Sequence, residues 1–167
     1  DDPLYPTEAL REALANAICH RDYAIFGGAI DVAIYDDRME IVSPGGFPPG
    51  ITADNIVFRQ AHRNRRIAET LNRCGLVDRS GQGADRMFET SIREGKGKPA
   101  FAGTDAFQVR LVLRGEILDA SFLRFLEQVG QQRLDTWNTG DFLVVDLVHR
   151  EERVPEELHD SAEHLVQ

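Results

Sequence analysis

The chain has 167 residues, 42% hydrophobic and 28% charged, with 28 acidic against 19 basic side chains and a net charge of −9. That length can bury a core without staples, and that composition excludes a disordered, collagen-like or disulfide-scaffold chain. No apolar run approaches the roughly 20 residues that span a bilayer. The start, Asp1-Asp2-Pro3-Leu4, has neither an initiator Met nor a signal-peptide pattern. The expectation is a piece of a longer, cytoplasmic protein with no membrane partner. Cys19 and Cys74 are too far apart for a C-x-x-C site and read as reduced thiols.

Thr7, as N-cap after Pro6, starts a first helix running to about residue 19, with Leu10, Ala13, Leu14, Ala17 and Ile18 as its apolar stripe. Residues 29–35 alternate as a strand, 36–38 turn, and 39–42 return as its hairpin partner. Ser43-Pro44-Gly45-Gly46-Phe47-Pro48-Pro49-Gly50 then breaks the strand into an ordered loop. A short helix is expected over 52–58 and a longer one over 64–74, with Ile67, Ala68, Leu71 and Cys74 inward and Gly75 at the C′ position. Leu76-Val77-Asp78 is strand-like, and Ser80-Gly81-Gln82-Gly83 leads into a helix carrying Ala84, Met87, Phe88 and Ile92 and closed by Gly95. The clearest strand covers 107–113. From Glu116 onward the pattern is helical over 117–129 and 141–149, then after a turn over 150–154 a further helix carries Pro155 at N1. The order gives an α+β fold, with helices on one face of a mixed sheet, over residues 1–115. An all-α segment follows over 116–167, its last two helices spaced like a helix-turn-helix.

Three features carry chemistry. Glu12, Asn16 and His20 recur every four residues and form one polar stripe on the first helix. A carboxylate there can activate water, and a carboxamide oxygen one turn away can hold a hard cation such as Mg²⁺. On spacing alone, a solvated helix edge is the simpler explanation. Two glycine-bearing loops, 43–46 and 80–83, can bring backbone N–H groups to a phosphate, and each is equally an ordinary turn. The stretch 59–66 holds Arg59, Arg63, Arg65 and Arg66, suited to phosphate geometry or to a solvated face.

Taken together and in order, the segments EALANAICHRDY, DDRMEIVSPGGFP, RNRRIAETLNRCGLVDRSGQGADRM and GKGKPAF resemble the GHKL ATPase superfamily. More narrowly, they are similar to the C-terminal ATPase-like domain of RecG-related ATP-dependent DNA helicases or transcriptional regulators. The likeness covers about residues 5–113 and implies the Bergerat-type α/β sandwich with Mg-ATP as ligand. It implies that Glu12 is the general base of hydrolysis and Asn16 the Mg²⁺ ligand. It implies nucleotide contacts from Asn16, His20, Arg21, Asp22, Ser43, Gly45, Gly46, Arg63, Arg65, Gly81 and Gly83, with 52–66 in the place of the lid. Ser43 stands where the superfamily usually carries Asp, and a neutral bond from adenine to it is roughly half as strong as a charge-assisted one.

The same resemblance implies a winged-helix-type region opening over 141–166 and an AlbA- or Schlafen-like domain elsewhere in the full-length protein. DNA would be met through those other domains, and a homo-oligomer is expected. The alternative is a degenerate GHKL fold without nucleotide binding, serving as a dimerisation or DNA-positioning scaffold. Divided at residue 115, the net charge is −1 before and −8 after. The acidic tail is therefore a poor lone DNA reader and reads as a docking or dimerisation element.

Overall fold

A computed structural model describes residues 4–61, 63–77 and 83–166. Helix α1 (Thr7–His20) is followed by strands β1 (Asp31–Ile34) and β2 (Arg38–Pro44). Helices α2 (Arg65–Arg73) and α3 (Gly83–Arg93) precede β3 (Gln108–Arg114). The chain ends in α4 (Ala120–Val129), α5 (Gln131–Leu134), α6 (Thr139–His149), a 3-10 turn (Glu156–Leu158) and α7 (His159–Val166).

The α+β expectation is met, but the three-stranded sheet, ordered β1-β2-β3, is antiparallel rather than mixed among the described residues. The strand expected at 76–78 is missing from it. Leu76 N–H donates to Leu71 O (2.9 Å) and Gly75 N–H to Asn72 O (2.9 Å), a Schellman closure that folds Leu76 back onto α2 instead of extending it. Asp78 lies outside the described residues.

Strand alternation sorts the two faces of the sheet. Met39, Ile41 and Ser43 of β2, with Leu111 and Leu113 of β3, are buried on the side of α1. On the opposite face Glu40 takes Arg38 Nε (2.8 Å) and Arg110 Nη2 (2.7 Å). Those guanidiniums, Arg110 first, hold the Glu40 carboxyl below its usual range. Helix α1 packs on β2, α3 on α1, α6 on α3 and α7 on α6. One apolar cluster includes Ala9, Ala13, Ile41, Met87, Ile92, Phe122 and Phe142.

Local departures from the expected elements have identifiable causes. Lying between β2 and α3, α1 buries Ala9, Glu12, Ala13, Ala15 and Cys19, a broader face than the expected stripe, and leaves Ile18 exposed. Its N-cap is Pro6, so Thr7 is already helical. Residues 53–58 form successive turns, not a helix. Asn55 Oδ1 accepts from Thr52 N (2.8 Å) and Asn55 Nδ2 donates to Gly50 O (3.0 Å), offering the backbone an alternative to the helical ladder. Helix α2 starts one residue later than expected and leaves Cys74 exposed. Pro155 caps the 3-10 turn rather than standing at N1 of α7.

Helix α4 begins only at Ala120 because Asp119 caps it, accepting from Ser121 N (2.7 Å) and Phe122 N (3.2 Å). The same carboxylate meets Ser121 Oγ at 2.6 Å and His149 Nε2 at 2.8 Å. These bonds, the Ser121 hydroxyl first, hold its carboxyl well below the carboxylate range. A depressed carboxyl stabilises the fold above its unfolded pKa of about 4 and loses that contribution as pH falls further. The melting temperature between pH 6 and pH 3 is therefore expected to fall more steeply for the parent chain than for Asp119→Asn. Parallel curves would remove Asp119 from the acid response.

Candidate functional site

Between α1, the buried face of β2–β3, α2 and the start of α3 lies a cleft of about 630 Å³. Its deep walls are Ile41, Met87, Phe101, Val109 and Leu111, and Phe47 stands edge-on to Phe101 with ring centroids 5.4 Å apart. At one end the walls turn polar. Glu12 is fully buried, its Oε1 lies 3.5 Å from Arg11 Nη2, and its Oε2 has no hydrogen-bond partner among the described residues. A methyl group at position 83 would overlap Glu12 Oε2 and stand 3.7 Å from Asn16 Nδ2. The glycine thus admits the carboxylate to the start of α3, where the helix dipole is positive.

Away from that end, Ser43 Oγ donates to Ala17 O (3.0 Å), tying β2 to α1. With its proton committed, the hydroxyl offers only lone pairs to a ligand in the cleft. The thiol of Cys19 also lines the wall, and burial first, then the charge of Glu12, pushes its pKa up. His20 and Arg65 border the mouth, Arg65 with its Nε on Glu69 Oε1 (2.9 Å). Arg59 and Arg73 border it too and pair with no carboxylate among the described residues.

The remaining residues singled out in the sequence serve the frame. Gly45 N–H donates to Phe107 O (2.7 Å) and Gly46 N–H to Ala106 O (3.2 Å), so these amides hold the loop to the start of β3 instead of facing a phosphate. A methyl group on Gly46 would come within 2.5 Å of Asp105 O, and Gly45 has φ of +91°, which explains both glycines. Arg63 donates to His20 O (3.1 Å) and Gly46 O (2.9 Å), while Asn64 Nδ2 donates to Cys19 O (2.9 Å) and Arg21 O (2.7 Å). Together they satisfy the open carbonyls at the end of α1.

Arg21 turns away, donating to Asp22 O (3.3 Å) and Gly28 O and lying 4.6 Å from the Tyr23 ring centroid. Asp22 Oδ1 accepts from Ala24 N (2.9 Å). Asp22, Gly45 and Arg63 border a neighbouring hollow of about 570 Å³ rather than the main cleft. Gly81 lies outside the described residues. Sequence reasoning missed Asn64 as a clamp and Arg73 and Phe101 as cleft walls. Arg73 follows Arg65 and Glu69 at steps of four and could have been found by helical spacing. Phe101, one aromatic after a breaker cluster, gave no signal.

The family model described as "Putative ATP-dependent DNA helicase recG C-terminal" matches residues 27–113, just over half of the chain. The chain belongs to this family. The segment of recG C-terminal type includes Ser43, Gly45, Gly46, Arg63, Arg65 and Gly83, and it begins after α1, so Glu12, Asn16 and His20 precede it. The crystal structure of the DIP2311 protein from Corynebacterium diphtheriae is similar, with a TM-score of 0.80 and 28% identity, over 96% of this chain and 36% of that one. This recG C-terminal chain therefore spans about a third of that protein's length. Comparison with curated proteins gives no match. No helix among the described residues is long and apolar enough to cross a membrane.

Proposed function

We propose that the cleft binds Mg-ATP and hydrolyses it slowly, as a GHKL-like module of a longer, DNA-associated protein of recG C-terminal type. The observation that carries this proposal is the convergence of Glu12, Asn16 and Gly83, from two helices far apart in sequence, at the polar end of an otherwise apolar cleft. A buried carboxylate with an unpartnered oxygen, a carboxamide one turn on, and Arg59, Arg65 and Arg73 at the mouth fit a triphosphate with its cation. Among the described residues no three of His, Cys, Asp and Glu converge on a metal site, so the cation would arrive with the phosphates. That suits magnesium, which keeps several waters and takes few protein ligands.

Asn16 would turn its amide oxygen to the cation, which when bound neutralises charge on the phosphates. Glu12 would orient a water and accept its proton as the water oxygen bonds to the γ-phosphorus and the bond to the bridging oxygen breaks, releasing ADP and phosphate. Ser43 Oγ would accept from the exocyclic amine of adenine, and the apolar walls would hold the ring. The scaffold alternative would be favoured by Pro44 or Phe47 filling the cleft. Instead Phe47 stands on the wall and leaves about 630 Å³ open, and Pro44 is not among its lining residues. In this reading residues 1–115 are the nucleotide-binding unit, and 116–167 open a winged-helix-type region that docks other domains or a second copy. Calorimetric titration with Mg-ATP is expected to give saturable heat, and none at millimolar nucleotide would sink the proposal.

A further inference from the structure

We propose that the free edge of β1 pairs with the β1 edge of a second copy of this chain, joining two three-stranded sheets into one. Such a seam does not depend on what the cleft binds. Strand β1 borders the sheet, and only β2 pairs with it among the described residues. Tyr35 N–H donates to Arg38 O (2.8 Å), and bonded pairs alternate along an antiparallel ladder, so Asp31 and Ala33 also turn their polar groups to β2. The bond from Gly45 N–H to Phe107 O sets the same alternation from the β3 side. Val32 and Ile34 therefore point their N–H and C=O groups outward from the edge. Their side chains lie on the apolar face, opposite the buried Ile41 and Met39, yet Val32 is 45% exposed and Ile34 69%. Residues 30–35 hold no lysine or proline, and their one charge, Asp31, points to the other face. The edge thus lacks several of the devices that keep edges apart.

An edge of this kind takes an extended segment, and the segment that suits its charges is β1 itself. With the two strands antiparallel about a two-fold axis at Ala33, Val32 and Ile34 face Ile34 and Val32 of the second copy. Each of these two pairs exchanges two backbone bonds. Asp31 then faces Tyr35 of the second copy, a ring that carries a guanidinium, Arg38, 4.2 Å from its centroid. Shifted by two residues one way, Asp31 would oppose Asp37; shifted the other way, Ile34 would face Ile30, which lies before the strand. The layer above also has room. Helix α1 packs on β2, so the two α1 helices would stand three strand spacings apart, about 14 Å. A helix with its side chains is about 10–12 Å wide, so the two clear each other, and Val32 and Ile34 of both copies cover one another in the strip between.

Sedimentation of the 167-residue chain over a concentration series tests the seam. A monomer–dimer equilibrium is expected, half complete between about 10 µM and 1 mM, as suits so small an interface. Val32→Pro removes an outward N–H and spares the bonds to β2, so it is expected to weaken dimerisation at least tenfold with an unchanged circular dichroism spectrum. Ile34→Lys carries the same expectation and serves if the proline variant fails to fold. Val148→Ser, at an exposed apolar position on α6, should leave the dimer intact. In a Cys74→Ser background, with Cys19 buried, diamide should oxidise Ala33→Cys to a disulfide-linked dimer, since the two sites face each other. Asp31→Cys, about 13 Å from its mate along the seam, should resist crosslinking. A chain that stays monomeric at about 1 mM, a dimer indifferent to both edge variants, a dimer lost in Val148→Ser, or Ala33→Cys crosslinking no faster than Asp31→Cys would each overturn the proposal.

Discussion

Glu12→Ala is expected to slow ATP hydrolysis by about 10²–10⁴ while leaving Mg-ATP affinity within a few-fold, the range typical of a lost general base. Phosphate release under saturating nucleotide gives the rate, and calorimetry gives the affinity. An unchanged rate would take Glu12 out of the chemistry. Gly83→Ala is the companion experiment, because it leaves the carboxylate in the chain but denies it its seat. The added methyl overlaps Oε2, so Glu12 must shift, and a displacement of about 1 Å at a reacting group costs on the order of 10²-fold. Loss of rate in both variants with binding retained would tie the effect to the position of Glu12 as well as to its presence.

The largest effect on folding is expected at Phe142. It is fully buried in α6, edge-on to Trp137 with centroids 5.3 Å apart, and the Arg93 guanidinium of α3 lies 5.3 Å from its ring. Truncation to alanine removes most of a large side chain from the shared core. Phe→Ala changes in cores cost about 3–5 kcal/mol, against total stabilities of about 5–15 kcal/mol. Urea unfolding should show a correspondingly lower midpoint with a similar slope. A loss below about 1 kcal/mol would mean that α6 is not integral to the core that also holds Ile92 and Ile41.

Periodicity made much of the fold legible. The alternation around Ile41 and Leu111 marked the sheet, and the spacing of Met87, Phe88 and Ile92 marked α3. What it could not carry was competition between neighbouring bonds. Asn55 looks helical by position yet hydrogen-bonds its own turn, and Leu76 looks extended yet closes α2. The cleft shows the same division. Glu12, Asn16 and Gly83 were found by spacing and motif together, and they converge. Gly45, Gly46 and Arg63 were marked as nucleotide contacts by residue type and by resemblance, but their N–H groups are bonded to backbone carbonyls. A sequence displays donors; only packing shows which of them are left over.

The clamps at the two ends of the cleft-covering segment bear on how such a site can evolve. Before it, Gly45 and Gly46 are tied to residues 106–107, and after it Arg63 and Asn64 are tied to the end of α1. Residues 48–61 between them contribute Ile51, Ile56 and Arg59 to the cleft but none of the fully buried core. With both ends fixed, changing the length of such a stretch costs little, since loop-closure entropy grows only logarithmically. Descendants of this chain can therefore try new lengths and side chains over the mouth while Glu12, Asn16 and Gly83 stay in place. On the proposed Mg-ATP reading, ligand preference can drift there without disturbing the proposed chemistry beneath it.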